Sequence, residues 1–340
     1  MCNTFSKQDT ISKHMKQNIA IIAGGDSSEF VISLNSAEQI ANILDEEKYN
    51  IFTVITKSTE WIVKSQNFCD VIVNKDDFSF SLNNEKTKFD CALITIHGTP
   101  GEDGKMQGYF ETLNIPYTTS GVLASSLTFN KIFTKNYLDN FNIRNANYYL
   151  LNKNKTINLD EIINKTGLPC FVKPNQGGSS FGISKVITAD QLKPAIIKAF
   201  EEDNEVIIEE FLDGQELTCG LIKTTKKEYI FPPTEIVSKN EFFDYEAKYT
   251  KGMAEEITPA KISKELTKEI QDISSKIYNI LQLKGIVRID FIYAKSKLYF
   301  MEVNTVPGMS AASIIPQQVK AYGMTMKDIF SIAIEDAFNR

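Results

Sequence analysis

The chain has 340 residues, 42% of them hydrophobic and 24% charged, with a formal net charge of −6. That balance is ordinary for a soluble globular protein of two or three domains; it argues against a nucleic-acid-binding surface as the main business, and no stretch reaches the roughly 18 to 20 apolar residues of a membrane helix. The five cysteines form no C-x-x-C pair and read as reduced cytosolic thiols, while the two histidines, His14 and His97, exclude a histidine-rich metal site.

Residues 1–17 are polar and read as a loose tail, within which Met15 is a second candidate start. IAIIA, residues 19–23, reads as a first strand, followed by a helix with Ala37, Ile40, Ala41 and Leu44 on one face. YNIFTVIT and CALITI read as further strands of a small α/β domain with a parallel sheet. GGDSSE (residues 24–29) and HGTPGEDG (residues 97–104) each follow a strand, at the end where ligands enter open α/β sheets, and this predicts a shared cleft.

Helical sequence spans residues 122–140, then come strand-like NYYLL, a helix ending at Gly167, and the strand CFVKP. CFVKP runs into KPNQGGSSFG, residues 173–182. Its composition suits a linker, a turn or a phosphate grip. It lacks the Lys-Ser/Thr of a P-loop and the spacing of a dinucleotide fold; between its two flanking strands it reads either as a flap whose backbone N–H groups and hydroxyls close over phosphates or as a plain flexible hairpin.

From Val206 the chain is strand-rich. Residues 239–256 read as one long irregular loop, a length more often functional than idle. A helix with Leu266, Ile270, Ile273, Ile277 and Ile280 on one face follows. GIVRIDFIYAKSKLYFMEVNTVPG then reads as two strands around a three-residue turn centred on Ser296. That register sets Asp290 opposite Glu302 and Arg288 opposite Asn304, all on one face. Facing carboxylates repel, so a cation should compensate, and oxygen-only ligands suit Mg²⁺ rather than zinc. A helical run from about Ser310 would place the Gly308 N–H near a helix N-terminus, beside Arg288, where it can face an oxyanion.

In this order GGDSSE, HGTPGEDG with MQGYFETLNIPYTTSG, FNK, VKPNQGGSSFGISKV, IIEEFLDGQELT, DYEAKY, VRIDF and MEVNTVPGMSAAS resemble the D-alanine–D-alanine ligase family of the ATP-grasp superfamily. The resemblance runs from about Ile19 to the C-terminus. It implies an α/β and α+β chain of three domains, 18–118, 119–206 and 207–340, the first with a parallel sheet. It implies ATP between two sheets and D-alanine where the three domains meet. Lys131 and Lys173 would contact ATP phosphates, Ser180 would help cover them, Glu209 and Leu212 would meet the adenine edge, and Glu216 the ribose. Asp290, Glu302 and Asn304 would bind two Mg²⁺ or Mn²⁺ ions. Arg288 and the Gly308 N–H would stabilise a tetrahedral intermediate. Glu29, Ser179 and Tyr249 would orient the first D-alanine and tie the long loop shut, and Lys248 would meet the transferred phosphate. Ser313 would hold the carboxylate of the second D-alanine, with His97 in the same pocket.

The implied activity is ATP-dependent synthesis of D-alanyl-D-alanine for peptidoglycan precursors, in a cytoplasmic homodimer. The sequence departs from many relatives at Phe30 and Val31, where a charged pair often follows the glutamate. The tyrosine of DYEAKY favours the dipeptide over a D-lactate ester. A D-lactate or D-serine acceptor, or a nucleotide-binding regulator without turnover, are the rival readings.

Overall fold

A computed structural model describes residues 16–64, 69–177, 182–238 and 254–340. The first sheet is built from β1 (Gln17–Gly24), β2 (Tyr49–Lys57), β3 (Glu60–Lys64), β4 (Val71–Ile72) and β7 (Cys91–Ile94), with a separate hairpin of β5 (Ser79–Leu82) and β6 (Glu85–Lys88). Its order is β4-β3-β2-β1-β7. The expected parallel arrangement holds for β2, β1 and β7, and two antiparallel strands extend it at one edge. From Ile19 onward β1 is apolar because both faces are covered. Ile19, Ile21 and Ala23 pack with α1 (Phe30–Ile43), while Ala20 and Ile22 face an aromatic cluster that includes Phe78, Phe80, Phe89 and Phe110 of α2 (Lys105–Thr112).

The expected helix over residues 122–140 is two helices, α3 (Val122–Phe129) and α4 (Lys131–Asp139). Asn130 breaks it: the residue is extended, its side chain accepts from Phe133 N at 3.0 Å, and its backbone bridges to Gln176. Asparagine is a preferred N-cap, so a local hydrogen bond outcompetes continuation of the helix and sets Lys131 at the first position of the new one.

A second sheet of order β10-β9-β11-β8 comprises β8 (Tyr148–Asn152), β9 (Cys170–Pro174), β10 (Ser184–Val186) and β11 (Glu205–Glu210). α5 (Leu159–Thr166) and α6 (Ala189–Ala199) cover one face. Val172, Val206 and Ile208 point into that core, so alternation turns Lys173 and Glu209 to the other face. As expected, β9 leads into the Gly/Ser segment and β10 leaves it. Ser179 and Ser180, the expected flap residues, lie outside the described residues.

The third sheet contains β12 (Gln215–Lys223), β13 (Glu228–Ile230), β14 (Thr234–Ser238), β15 (Ala254–Ile257), β16 (Val287–Ala294) and β17 (Lys297–Asn304), and packs against α7 (Lys264–Ile280). The long loop ends earlier than expected, because residues 254–257 pair with β14 as β15. Residues 239–253, with Lys248 and Tyr249, lie outside the described residues. Two last helices follow, α8 (Ile314–Tyr322) and α9 (Met326–Phe338). Buried Gln318 docks α8 on β12 by accepting from Gly220 N at 2.9 Å and donating to Thr218 O at 2.9 Å. α9 returns to the first sheet, where Ile329, Phe330, Ala333 and Ile334 share a core with Ile19 and Ile21.

The β16–β17 hairpin corrects one expectation and keeps its consequence. The turn has two residues, Lys295 and Ser296, with φ of 51° and 57°, and Ala294 pairs with Lys297. Two consecutive left-handed residues suit the right-handed twist of a hairpin better than a three-residue loop does. That register alone would put Asp290 opposite Met301. An irregularity between Asp290 and Phe291 then shifts it by one, which restores Asp290 opposite Glu302 and Arg288 opposite Asn304. Left-handed backbone is costly for residues with a Cβ. Lys295→Asn combined with Ser296→Gly should therefore stabilise the fold by about 1 kcal/mol. Thermal unfolding checks this; an unchanged or lower melting temperature would contradict the turn assignment.

Candidate active site

The site forms where strand ends from the first sheet meet the β16–β17 hairpin and the start of α4. β1 and β7 are neighbours and parallel, so the loops after them emerge side by side. Ser27 Oγ donates to His97 O at 2.8 Å and Asp26 N donates to Thr99 O at 3.2 Å, which unites the two loops as expected. The turn out of β1 requires glycine: Gly24 has φ +97°, and a Cβ there would lie 2.3 Å from Thr56 O. Beyond it Glu29, at the head of α1, is buried against the second loop.

On β16, alternation sends Val287, Ile289 and Phe291 into the core under α7 and leaves Arg288 and Asp290 on the opposite face. Arg288 grips Asp290 with two parallel bonds, Nε to Oδ1 at 2.9 Å and Nη2 to Oδ2 at 2.8 Å. Asn304 Nδ2 also donates to Asp290 Oδ2 at 2.9 Å, and the Thr218 hydroxyl donates to Oδ1. Arg288 therefore supplies one positive charge against the facing carboxylates, bonded to Asp290. Burial works against the guanidinium charge, but Asp290, Glu302 and Glu256 outweigh it and raise its pKa above the ordinary value.

A cavity of about 200 Å³ brings together Glu29, His97, Lys131, Arg288, Glu302, Asn304, Gly308 and Ser313. Burial lowers the His97 pKa, which favours neutral imidazole, and its Nε2 is buried without a hydrogen-bond partner among the described residues. Lys131 Nζ donates to Gly177 O at 2.9 Å, at the entry to the Gly/Ser segment. α8 begins at Ile314 with Ser313 as N-cap, not at Ser310. Gly308 therefore lies six residues before the helix, and the argument from a helix N-terminus does not apply to it. Gly308 instead approaches Ser313, whose Oγ is 2.8 Å from the Ser310 hydroxyl and would be 2.8 Å from a Cβ at Gly308.

Lys173 and Glu209 form an ion pair on the open face of the second sheet, Lys173 Nζ contacting Glu209 Oε2. Leu212 is buried near Ala146 and Ala294, and Glu216 lies on β12 opposite Ile292.

Two residues that the sequence reading did not single out belong to this site. Lys135, on α4, lies 2.9 Å from Glu209 Oε1, a charge contact outside hydrogen-bond alignment, and Oε1 has no hydrogen-bond partner among the described residues. Burial alone would raise the Glu209 pKa, but Lys135 and Lys173 together pull it down to about 2. The signal was a lysine in the apolar register of α4, between Ile132 and Leu138.

The other is Glu102 of HGTPGEDG. Its two oxygens accept from Gly98 N at 2.8 Å and Val306 N at 3.2 Å, tying the loop after β7 to the loop after β17. Burial pushes its carboxyl up from the ordinary 4.5 to about 7. A carboxyl raised in the folded state contributes stability that is whole below about 4.5 and is lost as pH rises to about 7. The stability difference between the wild type and Glu102→Gln should therefore move in favour of the variant between pH 5 and pH 8, by urea denaturation. A pH-independent difference would contradict the placement of this carboxyl.

Cys91, Cys170 and Cys219 are buried unpaired thiols and Cys69 is exposed. No helix among the described residues is long and apolar enough to cross a membrane.

Comparison with known proteins bears on this geometry. A family model described as D-ala D-ala ligase N-terminus matches residues 18–120, and one described as D-ala D-ala ligase C-terminus matches residues 137–335. The chain is similar to a D-alanine--D-alanine ligase of Bacteroides fragilis, 51% identical over 325 residues that cover 95% of this chain and 100% of the relative. A D-alanine--D-alanine ligase of Parabacteroides distasonis is 51% identical, with 95% and 98% covered. Among solved structures, D-alanyl-alanine synthetase A from Vibrio cholerae superposes with a TM-score of 0.86 at 30% identity, covering 96% of this chain and 99% of its own. The VanG D-Ala:D-Ser ligase from Enterococcus faecalis does so with 0.83 at 32% identity, covering 96% and 99%.

Proposed function

The chain belongs to the D-alanine–D-alanine ligase family, and from that premise we propose that it joins two D-alanines at the expense of ATP, releasing ADP and phosphate. The observation that carries the reading is the single cavity in which Arg288, Glu302, Asn304, Lys131, Glu29 and Ser313 converge. A free carboxylate is a poor acyl donor, so the γ-phosphoryl group of ATP first passes to the carboxylate of one D-alanine. Lys131 and Lys173 neutralise the phosphates. The amine of the second D-alanine, having lost its proton, attacks the acyl phosphate, and phosphate leaves as the amide forms. Arg288 and the Gly308 N–H hold the oxyanion of that step. Glu29 orients the first D-alanine, with Ser179 and Tyr249 as its partners in this proposal. Ser313 takes the carboxylate of the second, and His97 walls the pocket. Lys248 meets the transferred phosphate, and Ser180 helps the flap exclude water that would hydrolyse the acyl phosphate.

In the same reading the base edge meets Glu209 and Leu212, and the ribose meets Glu216. The buried Glu209 Oε1, with no aligned hydrogen bond among the described residues, supports an acceptor role toward an exocyclic amine. Asp290, Glu302 and Asn304 are the groups that would hold two Mg²⁺ or Mn²⁺ ions. Two carboxylates and an amide oxygen fit a hard cation. Among the described residues no group of three or more His, Cys, Asp or Glu side chains is placed to hold a metal alone, so nucleotide phosphates would complete the donor set. The ions would supply charge neutralisation at the phosphates.

The division into units 18–118, 119–206 and 207–340, the homodimer and the cytoplasmic location belong to this proposal. Similarity to a D-Ala:D-Ser ligase keeps D-serine as a second acceptor to test. ADP release should depend on D-alanine and rise little on addition of D-serine or D-lactate. Release that needs D-serine would transfer the reading to that acceptor, and binding of ATP without release would leave a regulator.

A further inference from the structure

Lys135 is a lysine with 1% of its side chain exposed, one helical turn beyond Lys131 on α4. It reaches two strands on the nucleotide side of the site. Its Nζ lies 2.9 Å from Glu209 Oε1 on β11, 3.5 Å from Phe300 O on β17, and 5.7 Å from the centre of the Phe300 ring. Glu209 Oε2 meanwhile meets Lys173 of β9. Two ammonium groups thus share one carboxylate, and the three groups together carry one positive charge too many for a buried cluster. The two lysines are not equivalent. Lys135 is enclosed by a helix and an aromatic ring. Lys173 is 11% exposed, at the end of a strand that runs into the Gly/Ser segment.

We propose that Lys135 is the fixed counter-ion of Glu209, a positioning residue that lets Lys173 leave the carboxylate for a nucleotide phosphate without stranding a buried negative charge. The inference rests on the ATP-dependent reading above and adds a residue to it. Without Lys135, Glu209 would hold Lys173 as its only neutraliser, and the phosphate contact would be lost while the base contact survived.

The test is the preference for ADP over AMP, measured by titration calorimetry at constant Mg²⁺. Lys135→Met should lower that preference at least ten-fold, with AMP affinity changed less than about three-fold. Adding Glu209→Gln should restore the preference to within about three-fold of wild type, because a neutral amide no longer competes for Lys173. Equal weakening of ADP and AMP in Lys135→Met, or no restoration in the double variant, would overturn the proposal. Should Lys135→Met fail to fold, Glu209→Gln with and without Lys135→Met decides the matter. The two should share one ADP preference, and a further drop in the double variant would refute the counter-ion role. A wild-type chain that binds no ADP in the same titration would instead contradict the ATP-dependent reading itself.

Discussion

Arg288→Lys is expected to lower kcat about a thousand-fold while leaving ADP affinity within a few-fold of wild type. The guanidinium does two things that an ammonium cannot do at once. It holds both oxygens of Asp290 in parallel bonds at 2.9 and 2.8 Å, and it presents its charge in a cavity that Glu302 and Glu256 also influence. Lysine is a point donor and loses the two-pronged geometry. Losing one oxyanion donor costs roughly two to three orders of magnitude in turnover, and a displaced Asp290 adds to that. Breaking the buried pair outright, as in Arg288→Met, should also destabilise the fold by about 3 kcal/mol, because Asp290 would remain charged without its main partner. Steady-state kinetics and thermal unfolding on the two variants separate these effects. Turnover within ten-fold of wild type in Arg288→Lys would remove Arg288 from the reaction.

Glu302→Gln should abolish measurable turnover and weaken Mn²⁺ binding in the presence of ADP at least a hundred-fold, with the melting temperature nearly unchanged. The expectation follows from position. Glu302 faces the cavity across the ladder from Asp290, and the carboxylate of Asp290 is already committed to Arg288, Asn304 and Thr218. A glutamine keeps the shape and one oxygen but forfeits the charge that a hard cation needs. Titration of Mn²⁺ by electron paramagnetic resonance reads the binding directly. Unchanged Mn²⁺ affinity would move the ion away from this hairpin.

Much of this site was legible because strand alternation is a strong local rule. Arg288 and Asp290 two apart, and Glu302 and Asn304 two apart, had to share faces whatever the loop between them did. The pairing across the ladder was less secure. A two-residue turn and a register shift offset one another, so a correct pairing conceals two departures from the expected hairpin. Alternation also hid part of the first sheet. β3 and the edge strand β4 are short, five and two residues, with too few repeats of the pattern to stand out. The break at Asn130 escaped because an asparagine within a helical run is tolerated until its side chain finds the next turn's N–H. Lys135 and Glu102 escaped for a different reason. Their significance lies in partners 74 and 204 residues away, Glu209 and Val306, and no local pattern announces a contact of that range.

The central claim is that the carboxylate of D-alanine is activated by phosphorylation in the cavity formed by these loops. It is tested most directly with D-alanine carrying ¹⁸O in both carboxylate oxygens, incubated with the enzyme, ATP and Mg²⁺, and followed by mass spectrometry of the released phosphate. Transfer through an acyl phosphate predicts one ¹⁸O in each phosphate and one retained in each new peptide bond. Phosphate free of ¹⁸O would mean that ATP is cleaved by water, and would contradict the account.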